Sequence, residues 1–144
     1  MAKPLVMVAL RDEGSLESLI SLACQMAAAL DADLAAFHVV EVPAATPIDA
    51  HDEILDRDGK ALLSHAQELA SRRFKGNFST ELLRARTAGD AIVAEAAERD
   101  AELLVIGQGS LVKLGEFLVG STARHVGRHA PCRVLVEIHP HHHS

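Results

Sequence analysis

The sequence contains no tryptophan and no tyrosine, and four phenylalanines are its only aromatic residues. Basic residues are also the minority: 14 lysines and arginines stand against 20 aspartates and glutamates, which gives a formal net charge of −6. Proteins that bind nucleic acid need clustered basic surface for the phosphates, and those that hold single strands add aromatic stacking platforms. We therefore expect no nucleic acid partner.

Cysteines and long apolar runs are scarce as well. Cys24 and Cys132 stand singly in apolar segments, a pattern typical of reduced, buried thiols rather than of a disulfide or a metal site. No stretch approaches the roughly 20 apolar residues of a membrane-spanning helix. The apolar run near the N-terminus is broken at Arg11 and has no small-residue cleavage site, so we predict no signal peptide. Together these features predict a cytoplasmic protein with no membrane partner.

Apolar residues make up 49% of the 144-residue chain, enough for one compact domain with a real core. A continuous apolar run at residues 5–10 and largely apolar segments at residues 34–42 and 102–106 predict strands buried on both faces. The segment at residues 80–86 is more polar, which favours a strand nearer an edge, and residues 133–138 form a fifth strand.

Helical periodicity separates these strands. Residues 15–30 predict a helix with Ser15 as N-cap, and residues 49–73 predict a second helix that Gly59 bends or frays. In the second helix the predicted inward side chains are Ile54, Leu55, Leu62, Ala66 and Leu69. Gly89-Asp90 opens a third helix with Asp90 as its cap, and residues 121–128 form a short last one.

Alternating strands and helices are typical of a doubly wound parallel sheet with helices on both faces. Ligands on such sheets bind beyond the carboxyl ends of the strands, at the point where the strand order reverses. We therefore expect a site built from residues 10–15, 39–43, 87–90 and 107–121.

The glycine-rich segment that begins at Gly107 carries the most information about function. A buried strand ends there, and Gly120-Ser121-Thr122 then begins a helix. Glycine has no side chain to cover its backbone N–H group, and accessible N–H groups next to a helix N-terminus favour the binding of an anion. Taken alone, the spacing also fits glycines that only turn the chain and a serine that only caps its helix.

This segment resembles the C-terminal signature of the universal stress protein family, in which Gly, two residues, Gly, nine residues and Gly-Ser/Thr precede a last strand. The continuation through His129-Ala130-Pro131-Cys132 matches too, as do the segments at residues 36–40 and 88–91 in the same order. The resemblance covers residues 1–138 as a single-domain, bacterial-type member and leaves a histidine-rich tail at residues 139–144, either native or the remnant of an affinity tag.

Membership of this family implies an α/β fold similar to flavodoxin and to the adenine nucleotide hydrolases: a five-stranded parallel sheet in the order 3-2-1-4-5. It also implies a homodimer paired through the last strand, which comprises Arg133, Val134, Leu135, Val136, Glu137 and Ile138. In members that bind ATP, adenine lies against the first two strands and the glycine steps hold the phosphates. The resemblance assigns this site to Val8, Leu10, Val39, Ile106, Gly107, Ser110, Gly120, Ser121 and Thr122.

Two positions depart from the family pattern. Leu10 stands where an aspartate is expected, and losing that polar partner removes about 1–3 kcal/mol of binding per buried hydrogen bond. Ser110 falls at the second glycine of the signature, with Gly109 one step early. Two hypotheses follow: a regulatory module of the stress response that binds ATP or AMP, with Mg²⁺ accompanying ATP, or a dimeric interaction protein that has lost nucleotide binding.

No catalytic residue is predicted, and any ATP hydrolysis is expected to be slow. The chain has no Gly-x-x-x-x-Gly-Lys-Ser/Thr loop and no Gly-x-Ser-x-Gly turn. His125 and His129 have a spacing that can share a metal, but no third ligand is evident, so we predict two exposed histidines and no metal site. His38 lies in an apolar strand and is expected to be a hydrogen-bonded core histidine.

Overall fold

The protein is described by a computed structural model that covers residues 3–50, 52–109 and 120–138. Strands and helices alternate along the chain in the order β1 (Leu5–Leu10), α1 (Glu13–Ala29), β2 (Asp33–Glu41), α2 (Glu53–Arg73), β3 (Phe78–Ala85), α3 (Ala88–Glu98), β4 (Leu103–Gly107), α4 (Ser121–His129) and β5 (Arg133–Glu137). Ser110 and the histidine-rich tail at residues 139–144 lie outside the described residues.

The strands form one parallel sheet in the order β3-β2-β1-β4-β5, which confirms the predicted topology. The more polar β3 is an edge strand, as its composition predicts. β1 is the central strand: Val8 pairs with Ala36 of β2 on one side and with Val105 of β4 on the other. From β1 the chain continues to β2 on one side, and from β3 it crosses to β4 on the other side of β1. A crevice therefore opens between the carboxyl ends of β1 and β4.

Successive residues of the buried strands enter two apolar layers, because side chains alternate across a strand. Val6, Val8 and Val105 pack under α1 and α2, whereas Met7, Phe37 and Leu104 pack under α3 and α4. All six are completely or almost completely inaccessible to solvent. This two-sided burial explains why β1 and β4 are unbroken apolar runs in the sequence.

Two helix starts differ from the prediction. α1 begins at Glu13 because Asp12, in extended conformation, accepts a hydrogen bond from the Ser15 N–H at 3.1 Å; Ser15 is therefore inside the helix and is not its cap. α3 begins at Ala88 with Thr87 at the cap position, whereas we predicted Asp90. The Ala88 N–H donates to the carboxylate of Glu41 at 3.0 Å, so a partner distant in sequence helps to fix the start of α3.

α2 corrects the prediction in two ways. It runs unbroken through Gly59, which is buried: a Cβ there would lie 2.8 Å from Leu82 Cδ1 and 3.0 Å from His38 Cδ2, so the glycine lets the helix pack closely on the sheet. Ile54 and Leu55, predicted to face inward, are 62% and 43% exposed because the helix starts at Glu53 with its first turn at the surface. Leu62, Ala66 and Leu69 are buried as predicted.

Glu95 on α3 gives the folded state a specific pH dependence. Burial, together with a hydrogen bond and charge repulsion from Glu81 of β3, raises the pKa of Glu95 from 4.5 to about 7. The folded chain thus keeps this proton to a higher pH than the unfolded chain, and the free energy of unfolding falls as the pH rises from about 4.5 to about 7.

We expect Glu95→Gln to raise the unfolding temperature at pH 8 and to change it little at pH 4, where the native carboxyl is already neutral. Thermal unfolding followed by circular dichroism at both pH values measures this difference. Glu68→Gln, at an exposed position of α2, serves as the control for the loss of one carboxylate. An equal shift of Glu95→Gln at the two pH values would contradict the assignment.

Across the described ranges, none of the helices combines the length and the apolar character that a bilayer span needs.

Candidate functional site

A cavity of about 300 Å³ opens at the carboxyl ends of the strands, where the strand order reverses between β1 and β4. It is lined by Ala9, Leu10, Arg11, Asp12, Ser15, Leu19, His38, Val39, Glu41, Ala88, Ile92, Ile106, Gly107, Gln108, Gly109, Thr122 and Glu137. Most of these residues fall in the four segments that the topology rule selected from the sequence.

The structure brings five of the nine residues assigned to the site onto the cavity wall: Leu10, Val39, Ile106, Gly107 and Thr122. Val8 does not line it, because its side chain is fully buried in the apolar layer under α1 and α2. Gly120 and Ser121 lie at the start of α4, next to the lining residue Thr122.

One end of the cavity is apolar. Leu10 is 3% exposed and ends β1, and Val39, Ile92 and Ile106 add further aliphatic surface. The ring of His38 borders this end, and its Nδ1 lies 2.8 Å from the main-chain oxygen of Leu10. A carbonyl oxygen only accepts, so Nδ1 carries the proton. His38 is hydrogen-bonded as predicted, but it is half-buried at the cavity wall and is not a core residue.

The opposite end is formed by the loop after β4 and the start of α4. Gly109 has φ = +77°, a conformation that glycine adopts readily and other residues rarely do. A Cβ on Gly109 would lie 2.7 Å from Arg11 Nη1 and 3.9 Å from the Cα of Gly120, so three distant parts of the chain meet here. Gly109, which the sequence count had placed one step early, is therefore the glycine that this loop requires.

Hydrogen bonds hold this loop against α4 and β5. The Gly120 N–H donates to the Gln108 carbonyl at 2.7 Å, and the Gln108 N–H donates to the Glu137 carbonyl at 3.1 Å. The N–H of Gly120 is thus engaged within the protein. The first-turn N–H groups of α4 and the hydroxyls of Ser121 and Thr122 are among the donors that this end can offer a ligand.

Four helices begin at this edge of the sheet, and carboxylates accept main-chain hydrogen bonds at the start of three of them. Asp52 accepts from the Ile54 and Leu55 N–H groups of α2. Asp12 accepts from the Ser15 N–H of α1, and Glu41 accepts from the Ala88 N–H of α3. The residue before α4 is Gly120, which has no side chain to act as a cap. The positive end of the α4 dipole therefore lacks a capping side chain at its N-cap position.

The sequence model of the universal stress protein family matches residues 3–137. The chain belongs to the universal stress protein family. A universal stress protein of Methanocaldococcus jannaschii is 31% identical over 120 residues, which cover 79% of this chain and 69% of the relative.

Solved structures of universal stress proteins share this fold. The protein from Archaeoglobus fulgidus superposes with a TM-score of 0.76 at 24% identity and 94% coverage of both chains. The structure of a universal stress protein from the same organism in complex with dAMP gives a TM-score of 0.72 at 22% identity, covering 93% of this chain and 96% of that one. A universal stress protein in complex with cAMP gives 0.69 at 26% identity, covering 96% and 98%.

Some lining residues of this universal stress protein were not singled out from the sequence: Arg11, Glu41, Ile92, Gln108, Gly109 and Glu137. A partial signal existed for Arg11 and Glu41, since each lies at the carboxyl end of a predicted strand. Nothing in the sequence marks Ile92 or Glu137 for a binding role, because each reaches the cavity only through packing of α3 and β5 on the sheet.

The remaining histidine and cysteine predictions can be placed in the fold. His125 is not simply exposed: its Nε2 lies 2.9 Å from Asp90 Oδ1, and the ring packs on Gly89 and near that of His129. Within the described residues, no cluster of three metal-ligating side chains is present. Cys24 and Cys132 are free thiols, and burial raises the pKa of both.

Proposed function

We propose that this universal stress protein binds an adenine nucleotide, ATP or AMP, in the cavity between β1 and β4 and acts as a regulatory module of the stress response. The observation that carries the proposal is the pairing of an apolar end with a glycine loop and an uncapped helix start in one cavity. Its volume lies at the lower end of the range for small-molecule sites, about 300–1,000 Å³.

The apolar end suits the base. Leu10, Val39 and Ile106 offer aliphatic surface that a planar purine can cover, and burying that surface is favourable at about 25 cal/mol per Å². Val8 supports this wall from the layer beneath.

The loop end suits the phosphate. Gly107 and Gly109 allow close approach to the main chain, and Ser121 and Thr122 supply hydroxyl donors at the positive end of the α4 dipole. Ser110 would complete this end as the family signature assigns it. Relatives of the same fold solved with cAMP and with dAMP support an adenine nucleotide as the ligand class. Mg²⁺ would accompany ATP, and no catalytic residue is proposed.

Leu10 favours a second candidate function. A leucine that is 3% exposed ends β1 where the family signature has an aspartate, and the nearby Asp12 uses Oδ1 to cap α1. A cavity without that carboxylate contact loses a polar partner for the nucleoside. The alternative is a dimeric interaction protein that no longer binds nucleotide.

We also propose that two copies pair through β5, the strand at one edge of the sheet, using Arg133, Val134, Leu135, Val136, Glu137 and Ile138. Edge strands present a row of unpaired main-chain groups, and Ile138 just beyond β5 is 49% exposed. In this arrangement residues 1–138 form the domain, and the tail at residues 139–144 lies outside it.

Isothermal titration calorimetry with ATP, ADP and AMP at concentrations up to millimolar tests the nucleotide proposal. We expect saturable heat with one or more of these nucleotides. No heat with any of them would overturn the proposal and favour the interaction protein. Mass spectrometry of small molecules that copurify with the protein identifies a ligand already bound.

A further inference from the structure

Arg11 occupies a position in the cavity that the proposed function does not yet use. It follows β1 directly, it is exposed, and it lines the cavity. Its Nη1 lies 2.7 Å from where a Cβ of Gly109 would be, so the guanidinium covers the glycine whose left-handed conformation shapes the phosphate end. The same glycine approaches Gly120 at the start of α4.

The charges around Arg11 give it a distinct role. Among the described residues that line the cavity, it is the one permanently charged cation. The carboxylates of Asp12 and Glu41 accept from helix N–H groups, and that of Glu137 accepts from Ser18 Oγ at 2.8 Å. The guanidinium of Arg11 and the N-terminal end of α4 therefore attract an anionic group in this cavity, whereas the three carboxylates repel it.

We propose that Arg11 contacts the phosphate group of the bound nucleotide and sets the ligand preference of this cavity. A guanidinium forms strong, charge-assisted hydrogen bonds with phosphate oxygens. With Leu10 in place of a polar nucleoside partner, the phosphate contact supplies a larger share of the binding free energy. The cavity then discriminates nucleotides from nucleosides more strongly than it discriminates among nucleosides. This inference rests on the proposed nucleotide binding.

Calorimetric titration of AMP and of adenosine into the full chain and three variants tests the proposal. We expect Arg11→Ala to weaken AMP binding by about tenfold to a hundredfold. The adenosine affinity of Arg11→Ala stays within about twofold of the wild-type value. Adenosine has no phosphate group, so this substitution removes none of its hydrogen bonds. Arg11→Lys keeps the charge without the planar fork, so its AMP affinity lies between those of wild type and Arg11→Ala.

Arg99→Ala is the matched control. Arg99 is the C-cap of α3, and its Nη1 lies 3.9 Å from Oε2 of Glu81. This variant therefore removes one arginine charge at a position that does not line the cavity. We expect its AMP affinity to be unchanged. Thermal unfolding of Arg11→Ala without ligand separates any change in the stability of the fold from the change in AMP affinity.

The possible failures are distinguishable. If Arg11→Ala binds AMP with the same affinity as the wild type, the proposed role of Arg11 is overturned and nucleotide binding itself is unaffected. An equal loss of AMP and adenosine affinity in Arg11→Ala would show that Arg11 shapes the cavity and does not contact phosphate. Wild-type protein that binds neither ligand would remove the proposed function and this inference with it.

Discussion

Gly120→Val is expected to abolish the stabilisation that AMP gives the protein while leaving the fold intact. Gly120 is buried at the start of α4, where the phosphate is proposed to sit, and valine adds three carbon atoms there. Its φ of −61° and ψ of 156° are accessible to valine, so the substitution requires no change of main-chain conformation at this residue. At a hundred times its Kd, a ligand adds about 2.7 kcal/mol to the free energy of unfolding, and the variant loses this increment.

Thermal unfolding with and without AMP measures this effect, and the free variant reports on the fold. Gly127→Val is the matched control on the same helix, because a Cβ at Gly127 meets nothing within 4 Å. We expect Gly127→Val to keep the full AMP-dependent rise in unfolding temperature. A comparable rise in Gly120→Val would place the ligand away from the start of α4.

Val136→Asp is expected to convert the proposed dimer into a monomer of 15.4 kDa. β5 is an edge strand, and a charged side chain there disfavours pairing with a second copy of the same strand. Sedimentation velocity measures the change in mass. Thr80→Asp on β3, at the opposite edge of the sheet, is the control and should leave the dimer intact.

Val136 also packs against the apolar layer under α3 and α4, so a second variant separates pairing from folding. The Glu137 carbonyl accepts from Gln108 beyond the end of β4, and main-chain groups alternate in direction along a strand. The Val136 N–H therefore points away from β4, and Val136→Pro removes a donor from the open edge alone. A dimer that persists in both variants would place the interface elsewhere on the molecule.

The sequence predicted the elements well where burial alone decides them. The runs that became β1, β2 and β4 are apolar on both faces, and such runs have few alternatives to a central parallel strand. The predictions were wrong at the N-terminal ends of two helices, α1 and α3. Asp12 and Ser15 are both good caps, and the choice between them depended on where the chain leaves β1.

The inward face of α2 shows the same limit. Leu62 and Ala66 lie over the sheet, but the first turn with Ile54 projects past it, and periodicity does not reveal where a neighbouring surface ends. Gly59 likewise reads in the sequence as a defect of the helix. In the structure it is the point at which α2 approaches Leu82 and His38.

For this protein, the sequence by itself determined the alternation of strands and helices, the family and the segments that form the cavity edge. Those properties follow from local periodicity and from glycines and hydroxyls at short, fixed spacing. Only the tertiary structure decided that Arg11 covers Gly109, that Glu41 helps to fix the start of α3, and that Val8 is buried under α1 and α2 and does not line the cavity. These contacts join residues far apart in the chain, and their geometry is set by how the helices pack on the twisted sheet.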